Sequence, residues 1–209
     1  MAKKISTKEK VLKAASRVFS ENGYKETTVR MISEKAGVNV ASVNYYFGDK
    51  EQLYLEVIRY WAEDAFRNFP DDFLAESGRS PEEKIELFVY HTLLILLGPD
   101  GRGTGFGRLM ALEASVSPSS VVHEVVAATI KEPTNILMKA VADLTGTDDE
   151  EKLKVYSACV VGQTVYFYLS KNLIQDLFDL QLPQSEEELH KISRQISSFA
   201  LAALKQPAV

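Results

Sequence analysis

The chain is predicted to be all-α, with an N-terminal three-helix head of the helix-turn-helix kind on a larger helical body. Three observations lead there. Apolar residues recur at spacings of three and four along most of the 209 residues, while strand-like alternation is nearly absent. Residues suited to capping helices precede the periodic stretches and glycines follow them. The composition, 45% hydrophobic and 25% charged, is that of an ordinary globular protein. The length accommodates one large domain, or one of moderate size plus a small one, with a core that needs no staples.

The elements follow in order. Ser6-Thr7-Lys8-Glu9 reads as a capping box opening a helix near 7–22, with Leu12, Ala15 and Phe19 on one face and Gly23 as its stop. Thr28 caps a second, short helix whose stripe is Val29, Ile32 and Ala36, ended by Gly37. Asn39 caps a third, with Val43 and Phe47 sharing a face and Gly48 closing it. Asp49 and Gln52 begin a fourth through Leu53, Val57 and Trp61 to about Phe66. Pro81 opens a helix through Ile85, Phe88, Leu93 and Leu96. Gly98 to Gly105 is the one long breaker run and reads as a mobile loop. Helices are expected at 106–116, at 119–145 with a break or kink at Pro133, at 149–176, and at 186–204 behind Pro183 and a Ser185 cap. The head is placed at residues 1–50 and the body at 51–209, the fourth helix connecting them.

Charge is divided unevenly. Residues 1–60 carry 11 Lys and Arg against 7 Asp and Glu, whereas 61–209 carry 13 against 22, within an overall net charge of −5. A basic front on an acidic chain suits a polyanion at that end. The two short helices joined by Gly37-Val38-Asn39 fit a helix-turn-helix, whose second helix enters the major groove of double-stranded DNA. With Val43 inward, a 100° step per residue turns Ala41 and Tyr45 outward and flanks them with Ser42 and Asn44. Ser42 and Asn44 suit base edges, Val40 and Ala41 a thymine methyl, and Arg30 a guanine or phosphate. Thr28, Tyr45 and Tyr46 offer hydroxyls to phosphate oxygens. Lys50 puts a cation in the first turn of a helix, against the macrodipole, and a DNA phosphate is the anion that would offset it.

The stretch Thr28-Val29-Arg30-Met31-Ile32-Ser33-Glu34-Lys35-Ala36-Gly37-Val38, followed by Tyr45-Tyr46-Phe47-Gly48-Asp49-Lys50-Glu51-Gln52-Leu53, resembles the N-terminal DNA-binding domain of the TetR family of bacterial regulators over about residues 8–55. The resemblance implies a homodimeric transcription factor, usually a repressor, released from a palindromic operator by a small molecule. It carries DNA-contact roles to Thr28, Arg30, Val40, Ala41, Ser42, Asn44, Tyr45, Tyr46 and Lys50. Further along, Leu109-Met110-Ala111-Leu112-Glu113, Ser117-Pro118, Pro133 and Leu144-Thr145-Gly146 look similar to a C-terminal domain of a subset of these regulators, including ones linked to drug-efflux control. This favours an aromatic or drug-like effector.

Aromatic residues are dense in the body, as in ligand pockets between helices and equally in plain cores. The ligand-binding candidates are Trp61, Phe66, His91, Arg108, Met110, Glu113, Gln163, Tyr166 and Phe167. For the dimer, Ala158, Gly162, Val165 and Leu169 form one stripe and Ile192, Ile196, Phe199 and Ala203 another, so that two helices from each copy make a four-helix bundle; the alternative is that both stripes face the chain's own core.

No cofactor, metal site or enzymatic activity is expected. The run Gly101 to Gly107 lacks the Lys-Ser/Thr ending of a phosphate-binding loop and the final glycine of a dinucleotide fingerprint. His91, His123 and His190 are scattered. Cys159, the sole cysteine, admits no internal disulfide and is expected to be buried among Ala158, Val160 and Val161. No window approaches the apolar length of a membrane span, which is about 20 residues, and a cytoplasmic location is expected. The rival readings are a helical small-molecule binding protein or enzyme with a structural helix-turn-helix, and a transcriptional activator.

Overall fold

A computed structural model describes residues 6–67, 78–98, 105, 107 and 120–206. Every regular element among the described residues is helical: α1 (Thr7–Glu26), α2 (Val29–Ala36), α3 (Val40–Phe47), α4 (Lys50–Arg67), α5 (Pro81–Leu97), α6 (Ser120–Thr145), α7 (Glu150–Leu169), α8 (Lys171–Phe178) and α9 (Glu186–Leu204). None of these helices is long and apolar enough to cross a membrane. The described residues fall into two compact units. The first gathers α1 to α4 as far as Phe66 with the described residues between 105 and 129. The second gathers α5, α6 from Ile130 onward, and α7 to α9.

Caps decide the boundaries in the first unit. Ser6 accepts from the Glu9 amide while the Glu9 carboxylate accepts from the Ser6 amide at 2.8 Å, so the capping box forms. Gly23 does interrupt α1, with φ 73 and ψ 178, and the expected end at 22 becomes a break followed by one more turn to Glu26. After α2, Gly37 takes a left-handed conformation (φ 67); its N–H bonds to the Glu34 carbonyl and that of Val38 to Ser33. This pair of bonds satisfies carbonyls that the helix end leaves open, and only glycine enters that conformation without strain. The core of the unit is Val11, Ala15, Val18 and Phe19 from α1, Ile32 from α2, Val43 and Phe47 from α3, and Leu53, Tyr54, Val57 and Ile58 from α4. Phe19 and Tyr54 meet at a centroid distance of 4.7 Å, and Tyr24 meets Tyr54 at 4.9 Å, so an aromatic triad ties α1 to α4.

In the second unit α5 packs on α7 and α9, α7 on α9, and α8 on α7. Ile85, Phe88, Val89, Leu93, Leu97, Leu137, Val141, Val160, Leu189 and Leu201 make its core. The inner faces of α7 and α9 also bury small polar residues. The Thr164 hydroxyl donates to the Val160 carbonyl, and Ser193 and Ser197 donate to carbonyls of α9, so their burial leaves few bonds unmade. Two cross-links pin α5 against α9: Lys205 pairs with Glu82 at 3.0 Å, and the Tyr90 hydroxyl donates to Glu186 Oε1 at 2.9 Å while its ring stacks on His190 at 3.8 Å.

Three expectations need correction. The helix expected over 149–176 is two helices, because Ser170 (φ −99, ψ 16) ends α7 and starts α8. The alternative of a break at Pro133 is not realised, since one helix runs from Ser120 to Thr145 and the missing proline N–H costs one hydrogen bond without ending it. Of the run read as a mobile loop, Gly98 caps α5 (φ 69) and Gly105 is already helical. The expected helix at 106–116 lies outside the described residues apart from Gly107.

The Tyr90 contact makes a pH prediction. Burial first, and then the Glu186 carboxylate, push its hydroxyl from 10.0 up to about 12. An acid whose folded-state pKa is raised contributes stability that is complete below its unfolded value and lost as pH rises through the folded value. Thermal unfolding followed by circular dichroism should therefore show Tyr90→Phe melting below the wild type at neutral pH, and the gap closing between pH of about 10 and about 12. A gap that stays constant over this range would contradict the assignment.

Candidate nucleic-acid interface

The α2–α3 pair presents one polar face. Asn39 Oδ1 caps α3 by accepting from the Ser42 amide at 2.7 Å. Val43 and Phe47 face the core, and this phase fixes the rest: Val40, Ala41, Asn44, Tyr45 and Tyr46 are exposed, Tyr45 at 83%. The two tyrosine rings meet edge to face at 5.1 Å, which restrains both without hiding their hydroxyls. The Asn44 side-chain amide makes no hydrogen bond, so both its donor and its acceptor can be presented to a base edge.

Several groups are already engaged, and this refines what each can do. The Ser42 hydroxyl donates to Asn39 Oδ1 at 2.8 Å, leaving acceptor capacity only. The Thr28 oxygen accepts from the Met31 amide at 3.2 Å, so its O–H remains to donate. Arg30 Nε donates to Glu34 at 2.9 Å along α2, with both side chains exposed. Such a pair is readily exchanged for a phosphate, since water screens it.

Lys50 departs most from expectation. Its ammonium donates to the carbonyls of Tyr24 at 3.0 Å and Thr27 at 2.9 Å, and lies 4.3 Å from the centre of the Tyr24 ring. These acceptors, rather than an outside anion, already offset the cation's unfavourable place in the first turn of α4. Lys50 therefore staples the end of α1 to the start of α4. One of its three donors is left for a phosphate.

The described ligand candidates are divided between the two units. Trp61 is buried on α4 within the first unit, where Gly105 backs its indole: a Cβ at Gly105 would lie 2.6 Å from Trp61 Cε2, so nothing larger than glycine fits. His91 is buried on α5 with its ring edge-on to Tyr90 at 5.0 Å. Arg108, Met110 and Glu113, and the side chain of Phe66, lie outside the described residues. Gln163, Tyr166 and Phe167 line an outer groove of about 350 Å³ together with Leu180, Ile192, Gln195, Ile196 and Phe199, and Tyr166 is exposed. The inward phase of α7 is Ser157, Val160, Thr164 and Tyr168, which turns Tyr166 outward. Ser157, not anticipated from the sequence, is buried with a hydroxyl that has no hydrogen-bond partner. Its signal was a polar residue in the inward phase of α7.

The dimer stripes point outward. Ala158, Gly162, Leu169, Phe199 and Ala203 are exposed, and Val165, Ile192 and Ile196 are half-buried. A Cβ at Gly162 would meet nothing within 4 Å in this chain, so its own fold does not require glycine there. Cys159 is also exposed, which corrects the expected buried thiol. Among the described residues, no group of three or more His, Cys, Asp or Glu could hold a metal ion.

A capped helix pair with an exposed polar recognition face, joined in one chain to a separate helical unit, defines a helix-turn-helix DNA-binding regulator. The comparisons are more specific. The family model described as bacterial regulatory proteins, tetR family, matches residues 11–57, and that of the C-terminal domain of the HTH-type transcriptional dual regulator CecR matches residues 81–204. The chain belongs to the TetR family of transcriptional regulators, with a CecR-type C-terminal domain. It is similar to CecR of Shigella flexneri, 28% identical over 179 residues that cover 80% of this chain and 78% of that one. It is also similar to the repressor AcnR of Corynebacterium efficiens, 38% identical over 65 residues, 31% of this chain and 33% of AcnR. Among solved structures, FadR of Bacillus subtilis in complex with stearoyl-CoA has a TM-score of 0.67 at 16% identity, covering 92% of this chain and 97% of its own. AibR in complex with isovaleryl coenzyme A and operator DNA has a TM-score of 0.65 at 18% identity, covering 97% and 100%. At these identities the structural similarity establishes the fold.

Proposed function

We propose that the protein is a cytoplasmic, homodimeric repressor that binds a palindromic operator through α3 and leaves it when a small molecule occupies the body. The observation that carries the DNA half is the exposed face of Val40, Ala41, Asn44, Tyr45 and Tyr46 on a helix locked by Val43 and Phe47. Asn44 and Val40 read base edges; Thr28, Arg30, Tyr45, Tyr46 and the remaining donor of Lys50 hold phosphates. The second copy docks on the outer face of α7 and α9, where Gly162 leaves room that this chain does not use.

The effector is an organic molecule with an apolar body. Within the second unit, the buried and unpartnered Ser157 hydroxyl is a polar group offered to it. FadR and AibR each carry an acyl-CoA in their solved complexes, so acyl thioesters join aromatic drugs as the first compounds to test. Release needs only that the ligand favour one of two states of the regulator. Catalysis has no part in this reading. The match to a dual regulator's domain favours a second reading in which the same chain also activates some promoters.

The test is selection of bound sites from random DNA at about 0.15 M salt. A palindromic site is expected, with half-site centres about 34–36 Å apart or multiples of that. Asn44→Ala should relax the preference at one base pair in each half-site, at a cost of about 1–3 kcal/mol per site contact. Enrichment of no sequence, in the presence or absence of the ligands, would sink the reading.

A further inference from the structure

α8 is the least covered helix of the second unit. It meets α7, with Ile174 buried, but Leu173, Leu177 (66%), Phe178 (73%) and, beyond its end, Leu180 are exposed. Leu169 at the end of α7 and Leu173 and Leu177 on α8 are all exposed, so large apolar side chains are uncovered on both sides of the break at Ser170. Leu180 lines the same outer groove as Ile192, Ile196 and Phe199. Asp179 ends α8 in the left-handed region (φ 49), the one described non-glycine residue with a positive φ.

The α7–α9 face offers Tyr166, Leu169 and Phe199 as its large exposed side chains. Ala158, Gly162 and Ala203 permit close approach but each removes little area from water. A stable interface hides roughly 800 Å² per partner and draws most of its energy from a few large anchors, aromatic ones especially. Leu177 and Phe178 are further anchors of that kind, both largely exposed and a few residues before Leu180, which lines the groove. Charge agrees: Asp176 and Asp179 flank the anchors, while Lys191 and Arg194 are exposed on α9, and none of the four makes an ion pair within this chain.

We propose that α8 is an arm of the dimer interface, with Leu177 and Phe178 of each copy seated in the α7–α9 groove of the other. This rests on the α7–α9 dimer proposed above. The test is sedimentation of the full chain as wild type, as Leu177→Ser/Phe178→Ser and as Gly162→Arg. Both variants alter positions open to solvent in the single chain, and circular dichroism at low concentration checks that the helices remain. A dimeric wild type is expected, with the arm variant dissociating about 100-fold more readily and Gly162→Arg monomeric. A wild type that remains monomeric at every concentration overturns the dimer and the arm with it. A dimeric wild type that the arm substitutions leave equally tight, while Gly162→Arg breaks it, overturns the arm alone. Loss of a tetramer from the arm variant with the dimer unchanged also overturns it, since α8 would then join dimers to one another.

Discussion

Phe19→Ala is expected to destabilise the DNA-binding unit by about 3–5 kcal/mol, the range for truncating a fully buried aromatic side chain. The ring is completely buried and touches Tyr54 of α4 and Tyr24, so its removal opens a cavity where the two longest helices of that unit meet. Whole domains are stable by only about 5–15 kcal/mol, so a loss of this size removes much of what holds the unit folded. The second unit has a core of its own, in which Phe19 has no part. Thermal unfolding by circular dichroism should accordingly show an early transition for part of the helical signal, with operator affinity gone and dimerisation retained. One cooperative transition at the wild-type midpoint would contradict this account.

Lys50→Met should have two effects that can be read separately. The methionine keeps most of the stem but deprives the Tyr24 and Thr27 carbonyls of a charged donor, and hydrogen bonds of that kind are worth about 1.5–3 kcal/mol. The same substitution removes the one donor left over for a phosphate. Affinity should therefore fall alike for every DNA sequence, and the dependence of affinity on salt should become shallower by about one unit of slope. Denaturant titration measures the first effect and fluorescence anisotropy across salt concentrations the second. If stability falls while the salt slope is unchanged, Lys50 is purely a staple.

The helix-turn-helix was legible because its signals are local. Thr28, Asn39, Gly37 and Gly48 each act on backbone groups within a few residues, and all four do in the structure what their spacing suggests. Lys50 was legible as an anomaly but not in its resolution, since its partners lie 23 and 26 residues away. On α7 the faces are poorly legible for a different reason. Cys159, Gly162, Gln163, Tyr166 and Leu169 are interleaved with Ser157, Val160, Thr164 and Tyr168, so apolar and small residues occupy both sides and the period selects neither. Packing against α5 and α9 makes the choice. That is why Cys159 is exposed where its neighbours predict burial, and why the period alone assigns no face to Tyr166 and Phe167. The stop at Ser170 had no marker comparable with the left-handed glycine after α2.

The chain has one tryptophan. Because that indole lies buried against a glycine backbone on the helix leading out of the DNA-binding head, the indole emission of the unlabelled protein, excited at wavelengths that tyrosine does not absorb, comes from one known location. A colour change on adding a compound or a DNA duplex then reports rearrangement beside Gly105, with no dye attached and no background from a second emitter of the same kind.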